Sequence, residues 1–135
     1  MYVLDTNALV YFFKGMGHVA AHLAQHPPHE VALPAVVLFE LEVGLAKSDA
    51  PARRRRQLQE VMRWMRLLPF AAQEARSAAR IRAELERAGT PIGPLDCLIA
   101  GTAVAHGGIL VTRNTREFRR VGGLSIADWY TGPPP

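Results

Sequence analysis

The stretch Met1-Tyr2-Val3-Leu4-Asp5-Thr6-Asn7 joins a short apolar run to an acidic residue. A run of this length and composition is typical of a buried strand, which places Asp5 at the carboxyl end of that strand. Asp is also a common helix N-cap, and for Asp5 taken alone a cap on a helix starting at Thr6 is the simpler interpretation. The positions of other acids in the chain favour a second role.

The strand pattern recurs along the chain and alternates with helical patterns. The further strand-like segments are Val31 to Leu33, Leu67 to Phe70, Ile109 to Val111 and, more weakly, Leu124 to Ala127. Helical spacing of apolar residues occurs at Leu58, Val61, Met62 and Met65, and more loosely at Ala78, Ile81, Leu85 and Ala88. This alternation predicts an α/β fold in which helices cover both faces of a mostly parallel sheet.

Proline and glycine mark the predicted limits of the helices. Pro27-Pro28 ends the first helical region, Pro51 opens another, Gly89-Thr90-Pro91 ends the next, and Pro94 suits the first turn of a helix that runs to about His106. The chain has 135 residues, which is the size of one domain. We therefore predict a single domain over residues 1–131 and a flexible tail over residues 132–135.

The composition favours a globular protein with a weak preference for nucleic acid. Hydrophobic residues make up 49% of the chain, which argues against disorder. The net charge is +4, and all but two of the sixteen basic residues are arginine, the side chain best suited to bidentate phosphate contacts. Genome composition explains this arginine bias equally well. A single cysteine, Cys97, excludes an internal disulfide, and no stretch has the pattern of a signal peptide or the length of a membrane span. These features predict a cytoplasmic protein with no membrane segment.

A second acid, Glu40, lies in the apolar stretch Pro34-Ala-Val-Val-Leu-Phe-Glu-Leu-Glu-Val-Gly44. In a helix, Glu42 would lie about 200° around the axis from Glu40, so the two carboxylates cannot serve the same cleft. Glu40 shares its face with Val36, Val37, Val43 and Gly44 and is expected to point inward, with a solvated position on the helix as the alternative. Gly44 leaves room there for another backbone or a ligand. Glu42 is expected to be an ordinary surface charge.

A third acid, Asp96, falls in the first turn of the helix predicted to start at Pro94. Helical spacing aligns it with Ile99, Ala100 and Ala103, which form a narrow face suited to close packing. A buried carboxylate without a partner is costly, so Asp96 needs a cation, hydrogen bonds or water. The free amides at the helix N-terminus are one such partner, and they do not exclude a metal.

The stretch Thr112-Arg113-Asn114 follows another predicted strand, and Glu117 lies three residues further on. In an open parallel sheet, ligands bind outside the carboxyl ends of the strands at the point where the strand order reverses. Asp5 and this stretch would share that crevice if their strands are neighbours. Oxygen ligands from separate parts of the chain suit Mg²⁺ or Mn²⁺. The evenly spaced His18, His22 and His26 are interpreted as surface or partner-facing residues rather than a zinc site.

Four stretches in this order resemble the PIN-domain ribonucleases, specifically the VapC-type toxins of prokaryotic toxin–antitoxin pairs. They are Val3-Leu4-Asp5-Thr6-Asn7, Glu40-Leu41-Glu42-Val43-Gly44, Ile92-Gly93-Pro94-Leu95-Asp96-Cys97-Leu98-Ile99-Ala100 and Leu110-Val111-Thr112-Arg113-Asn114-Thr115-Arg116-Glu117-Phe118. The segment from Gly123 to Trp129 is also similar to the family, so the resemblance spans nearly the whole chain.

The resemblance implies a PIN-like three-layer α/β/α sandwich with a central, mostly parallel sheet. It also implies a Mg²⁺- or Mn²⁺-dependent endoribonuclease, in which Asp5, Glu40 and Asp96 are the catalytic and metal-binding acids. Asn114 and Glu117 are weaker candidates for the metal, because many relatives carry Asp where this chain has Asn114. A toxin of this type implies a cognate antitoxin protein and a homodimer.

Candidate RNA contacts and supporting residues surround the predicted site. They are Thr6, Asn7, Thr112, Arg113 and Arg116, with Lys14 and Lys47 as outer candidates. The run Arg53-Arg54-Arg55-Arg56 is more simply explained as a solvated helix face than as an RNA patch. Apolar residues near Leu9 to Phe13 and Val36 to Leu45 are candidates for an antitoxin groove, although Phe12 and Phe13 are more often plain core.

Two other functions compete with this one. One is a non-catalytic PIN-like interaction domain with a structural or vestigial metal site, and Asn114 is the residue that favours it. The other is a phosphate-monoester hydrolase of the haloacid dehalogenase type. That chemistry requires a second Asp two residues after the first, where this chain has Asn7, so it is disfavoured.

Overall fold

Five parallel strands form the centre of the computed structural model, which describes residues 1–135. The strands are β1 (Tyr2–Leu4), β2 (Val31–Pro34), β3 (Arg66–Leu68), β4 (Ile109–Val111) and β5 (Ser125–Ala127). Their order across the sheet is β3-β2-β1-β4-β5, and every neighbouring pair is parallel. The predicted mostly parallel sheet is therefore confirmed.

Seven helices connect the strands. They are α1 (Thr6–Lys14), α2 (Val19–Leu23), α3 (Ala35–Ala46), α4 (Pro51–Trp64), α5 (Ala72–Arg87), α6 (Pro94–Ala105) and α7 (Thr115–Phe118). None of them is both long and apolar enough to cross a membrane. The helices predicted to begin at Thr6, Pro51 and Pro94 begin at those residues.

The third strand differs from its predicted limits. It runs from Arg66 to Leu68 rather than from Leu67 to Phe70. Pro69 is the reason, because proline has no amide hydrogen to donate to a strand ladder. The apolar pattern alone did not carry this information.

The sheet is covered on both faces. Consecutive side chains of a strand point to opposite faces, and Val3 and Leu4 of β1 are both fully buried. Leu110 and Val111 of β4 are also buried. Helices on both sides of the sheet exclude water from these residues, which gives the three-layer α/β/α arrangement.

The strand order reverses between β1 and β4. The chain moves outward from β1 through β2 to β3 and then returns to place β4 on the other side of β1. In this pair Leu4 stands beside Val111, and the amide of Asp5 donates to the carbonyl of Val111 at 3.1 Å. Asp5 and Thr112 therefore follow two adjacent strand ends at the switch point, where α/β proteins bind ligands.

Candidate metal centre

Asp5 caps helix α1 from the end of β1. Its Oδ1 accepts a hydrogen bond from the amide of Ala8 at 2.8 Å, so the predicted cap is present. The side chain is only 6% exposed. A capping carboxylate at an exposed helix end would have abundant solvent, whereas Asp5 has little, so its charge depends on nearby groups.

Burial dominates the ionisation of Asp5. It raises the pKa of this carboxyl from its ordinary value of 3.8 to about 6, although the Thr112 hydroxyl and the Ala8 amide act in the opposite direction. The negative charges of Asp96 and Glu40 add to the increase. Glu40 and Asp96 lie 35 and 91 residues after Asp5 in the sequence, so the fold has brought three distant acids close enough to affect one another.

Glu40 reaches the same region from helix α3. The Thr6 hydroxyl, at the start of α1, donates to Glu40 Oε1 at 2.7 Å. Glu42 points elsewhere and pairs with Arg55, with an Nη1 to Oε1 distance of 3.0 Å. The predicted difference in direction between Glu40 and Glu42 therefore agrees with the structure, although both side chains are half-buried and Val43, predicted on the face of Glu40, is exposed.

Asp96 lies in the first turn of α6, where its pKa is raised by burial first and then by the charges of Glu117 and Glu40. Its carboxylate has no hydrogen bond or ion pair with another side chain. A Cβ added to Gly93 would lie 3.3 Å from Asp96 Oδ2, so the carboxylate folds back over this glycine. The predicted packing face is present, because Ile99, Ala100 and Ala103 are buried.

Glu117 and Asn114 act together in the segment after β4. The side-chain nitrogen Nδ2 of Asn114 donates to Glu117 Oε2 at 3.0 Å. The backbone amide of Asn114 donates to Thr112 Oγ1, also at 3.0 Å. Since the charge of Glu117 raises the pKa of Asp96, Glu117 is the fourth acid of the cluster. Asn114 holds this acid in position through its amide nitrogen.

The four acids form one negatively charged cluster, which comprises Asp5, Glu40, Asp96 and Glu117. No lysine, arginine or histidine forms a salt bridge with any of them. Uncompensated carboxylates at a partly buried site provide the hard oxygen donors that Mg²⁺ and Mn²⁺ prefer. No three His, Cys, Asp or Glu side chains stand in positions that could hold an ion directly. The donor chemistry fits a hydrated ion, since Mg²⁺ usually retains several waters and takes only one or two carboxylates.

The Arg113 side chain packs on aromatic rings and forms no salt bridge with the four acids. Its guanidinium carbon lies 3.7 Å from the centre of the Tyr130 ring and 5.6 Å from that of Tyr11. The other predicted contact residues, Asn7 and Arg116, are exposed, and Arg116 forms no salt bridge with the cluster. Sequence spacing did not reveal the Tyr130 contact, because that residue lies 17 positions after Arg113.

Two of the evenly spaced histidines, His22 and His26, pack against one aromatic ring. His22 and His26 both stack on Trp129, with ring centres 5.4 Å away and interplanar angles of 2° and 5°. His22 Nε2 is also 2.8 Å from the carbonyl oxygen of Gly132. These two side chains are half-buried, so they lie at the surface, as expected, but pack against Trp129 instead of extending into solvent. The missing information was the position of Trp129.

Comparisons with known proteins all indicate the same family. A model of the PIN domain matches residues 2–124. The tRNA(fMet)-specific endonuclease VapC of Shigella flexneri is 38% identical over 128 residues, which cover 95% of this chain and 97% of that protein. The enzyme of the same name from Salmonella typhimurium is 35% identical with the same coverage.

Solved structures agree with the sequence relatives. DNA-bound VapBC from Salmonella typhimurium superposes with a TM-score of 0.89 at 36% identity, covering 95% of this chain and 97% of that chain. VapBC2 from Rickettsia felis, bound to a DNA fragment from its promoter, gives a TM-score of 0.86 at 32% identity, with 95% and 98% covered. With the fold, the acidic cluster and these near full-length similarities in agreement, the chain belongs to the PIN-domain family, in its VapC branch.

Proposed function

We propose that this protein is the toxin of a toxin–antitoxin pair and that it cleaves RNA by metal-dependent hydrolysis. The observation that carries this proposal is the cluster of four carboxylates at the switch point of the sheet, without a basic partner. Such a cluster destabilises the fold, and a bound cation would relieve the repulsion. The names of the VapC relatives, which are ribonucleases and endonucleases, support RNA as the substrate.

The metal would be Mg²⁺ or Mn²⁺. Asp5, Glu40, Asp96 and Glu117 are the residues that would hold it, in part through water molecules that the ion retains, with Asn114 positioning Glu117. When bound, the ion supplies Lewis-acid activation of the scissile phosphate and of the attacking water. Thr6 orients Glu40 through a hydrogen bond of 2.7 Å. Such hydrolysis does not use the ribose 2′-hydroxyl, so the products carry a 5′-phosphate and a 3′-hydroxyl.

The test is cleavage of a mixed RNA pool with Mg²⁺ or Mn²⁺, with and without EDTA, followed by sequencing of the new ends. We expect cleavage that EDTA abolishes and that Asp96→Asn reduces by at least about a hundredfold, in line with the loss of one charged group in a catalytic site. Glu42→Gln is the matched control, since Glu42 lies on the other side of α3. Activity that survives chelation, or 2′,3′-cyclic phosphate ends, would contradict the proposed chemistry.

The first individual substrate to test is initiator tRNA. Two relatives with near full-length similarity are named tRNA(fMet)-specific endonucleases. Single-stranded loops are the parts of an RNA that expose their bases, so we expect cleavage in a loop of this tRNA. An elongator methionine tRNA is the matched comparison, and equal cleavage of both would reject this specificity. The reaction is assigned to the cytoplasm because its RNA substrate is there.

An antitoxin is the proposed protein partner. A groove of about 400 Å³ between α1 and α4 is lined partly by Phe12, Val61 and Trp64, and it provides an apolar surface for a partner segment. Solved structures of relatives are VapBC complexes. Trp64→Ala is expected to weaken binding of the cognate antitoxin in calorimetry without reducing RNA cleavage.

We propose that two copies of the protein form a homodimer through the surface of α3 and α6. Phe39 is 56% exposed, and Val43 and Leu95 are also exposed large apolar residues. A charge at the centre of such a surface opposes association, so Phe39→Glu is expected to convert a dimer to a monomer in light scattering. A wild-type protein that is monomeric at all concentrations would reject this assembly.

The alternative is a non-catalytic interaction domain in which the acids cap helices or hold a structural metal. The use of Asp5 as a helix cap favours it. RNA cleavage that is lost on Asp5→Asn, with the fold intact, would exclude this alternative. An inactive wild-type protein that still binds its antitoxin would support it.

A further inference from the structure

A cavity of about 330 Å³ opens between α1, α3 and α4. Two of its wall residues, Thr6 and Glu40, are joined by the hydrogen bond that belongs to the acidic cluster. The cavity therefore begins where the candidate metal centre ends. Cavities that hold small ligands start at roughly 300 Å³, so this one has room for a single nucleotide.

The walls combine an apolar lining with two positive charges. The apolar side chains are Val10, Phe13, Leu41, Leu45 and Leu58, and the basic ones are Lys14 and Arg54. Neither base takes part in a salt bridge, although the neighbouring Arg55 does. Two free cations beside an apolar surface suit a ligand that has a flat, weakly polar part and an anionic part.

Gly44 lies in this wall and has no structural reason to be glycine. It stands inside helix α3, where glycine weakens a helix relative to alanine. A Cβ placed on it would have no atom within 4 Å. Gly101 in α6 is different, because a Cβ there would lie 2.6 Å from Ala78. Packing therefore requires glycine at position 101 but not at position 44, and the space over Gly44 is available to a ligand.

We infer that this cavity binds one nucleotide of the RNA strand, next to the phosphate that is cleaved. The base lies in the apolar part beside Phe13 and over Gly44, and Lys14 and Arg54 contact its phosphate. This inference rests on the proposed RNA cleavage and adds a position that reads one base. Aromatic and apolar surfaces bind unstacked bases in single-stranded RNA, and basic side chains bind the phosphates.

The first test fills the cavity from Gly44. Gly44→Ala adds one methyl group, and Gly44→Leu fills the space above the wall. We expect Gly44→Ala to keep most of the activity and Gly44→Leu to lower kcat/KM on RNA by at least about tenfold, the equivalent of losing one stacked base. The base preference beside the cleavage site should also change.

Gly122→Leu is the control, since a Cβ at Gly122 also has no atom within 4 Å and Gly122 lines no part of this cavity. Gly44→Leu with unchanged rate and base preference would overturn the inference.

The second test compares two adjacent arginines. Arg54 lines the cavity and Arg53 does not. Arg54→Ala should lower the slope of log KM against log salt concentration by about 0.7, the value for one phosphate contact on a single strand, and Arg53→Ala should leave it unchanged. Equal changes in the two variants would indicate a diffuse basic face and overturn the inference.

A third measurement separates this inference from the proposed function. AMP, GMP, CMP and UMP are titrated into the wild-type protein and into Gly44→Leu, and amide NMR shifts are recorded. We expect shifts at Phe13, Leu41 and Gly44 in the wild type that are lost in the variant. Nucleotide binding by a protein that cleaves no RNA would reject the proposed function and keep the cavity assignment. RNA cleavage without such shifts, or a Gly44→Leu defect limited to antitoxin binding, would reject the cavity assignment and keep the function.

Discussion

The carboxylate of Asp5 is charged at neutral pH in a place that opposes its charge. Its pKa is raised from 3.8 to about 6, with burial as the main cause. The folded protein therefore retains the proton of Asp5 at pH values where the unfolded chain has lost it. Stability falls as the pH rises from about 4 to about 6, and above that range the full destabilisation, about 3 kcal/mol, is present.

We therefore predict that Asp5→Asn stabilises the metal-free protein while it abolishes activity. Asparagine keeps an oxygen for the Ala8 amide and removes the charge that Asp96 and Glu40 repel. The gain in unfolding free energy, measured with urea, should be close to the full value at about pH 8 and small at about pH 4. A gain that does not depend on pH would show that the charge of Asp5 is not its cause.

Single residues differed in how far the sequence could place them. The orientations of Glu40 and Glu42 followed from helix geometry, because the two lie on one helix with a known angle between them. The pairing of Asn114 with Glu117 depended on side-chain rotamers, which spacing does not determine. The contact of Arg113 with Tyr130 depended on the path of the chain after β5, and no local pattern encodes that path.

Among the helices, α5 and α6 approach closely at one glycine. Since a Cβ at Gly101 would lie 2.6 Å from the Cα, Cβ and N atoms of Ala78, we predict that Gly101→Ala lowers the unfolding free energy by about 1–3 kcal/mol. Gly44→Ala is the matched comparison in α3, and it should raise the unfolding free energy by about 0.5–1 kcal/mol. Urea unfolding of both variants checks the opposite signs. A neutral Gly101→Ala would mean that the two helices can separate without loss of packing.

The start of α5 and the end of α6 are joined by a buried acid. Glu74 accepts a hydrogen bond from the Ala71 amide at 2.9 Å and lies 2.8 Å from His106 Nε2. The Ala71 amide is the main cause that lowers the pKa of Glu74 below its ordinary value of 4.5, and His106 acts in the same direction. The interactions of the Glu74 carboxylate stabilise the fold above about pH 4.5. This stabilisation is lost as the pH falls through the lower pKa that Glu74 has in the folded protein.

Glu74→Gln should remove that dependence on pH. The wild-type unfolding free energy is expected to fall more steeply than that of the variant between about pH 5 and pH 3. Urea titrations at a series of pH values provide the comparison, and Glu86→Gln, at an exposed pair with Arg82, serves as the control. Parallel pH profiles for the wild type and Glu74→Gln would contradict this role.

Elements were predicted best where local rules act alone. Periodicity and proline identified the helices that start at Pro51 and Pro94, and the apolar runs identified all five strands. The third strand was misplaced because the apolar run continued past Pro69, where strand pairing stops. The end of this strand was therefore set by the missing amide hydrogen of Pro69 and not by the extent of the apolar run.

At the scale of the whole molecule, the strand order creates the site. The sequence predicted that Asp5 and Thr112 would share a crevice only if β1 and β4 were neighbours. Strand order depends on the long-range packing of the sheet, and nothing local to either strand determines it. Once β4 lies beside β1, the starts of α1 and α6 and the segment after β4 bring their acids to one edge.

A metal ion should therefore stabilise the whole fold through these acids. We predict that Mn²⁺ raises the Tm of the wild-type protein, because an ion that binds only the folded state adds about 2.7 kcal/mol at a hundredfold excess over its dissociation constant. For a domain of this size that gain corresponds to roughly 10 °C. Asp5→Asn and Asp96→Asn should lose most of the shift, whereas Glu42→Gln, whose acid pairs with Arg55, should keep it. An equal shift in all four proteins would place the ion elsewhere, and no shift in the wild type would reject a metal centre at the switch point.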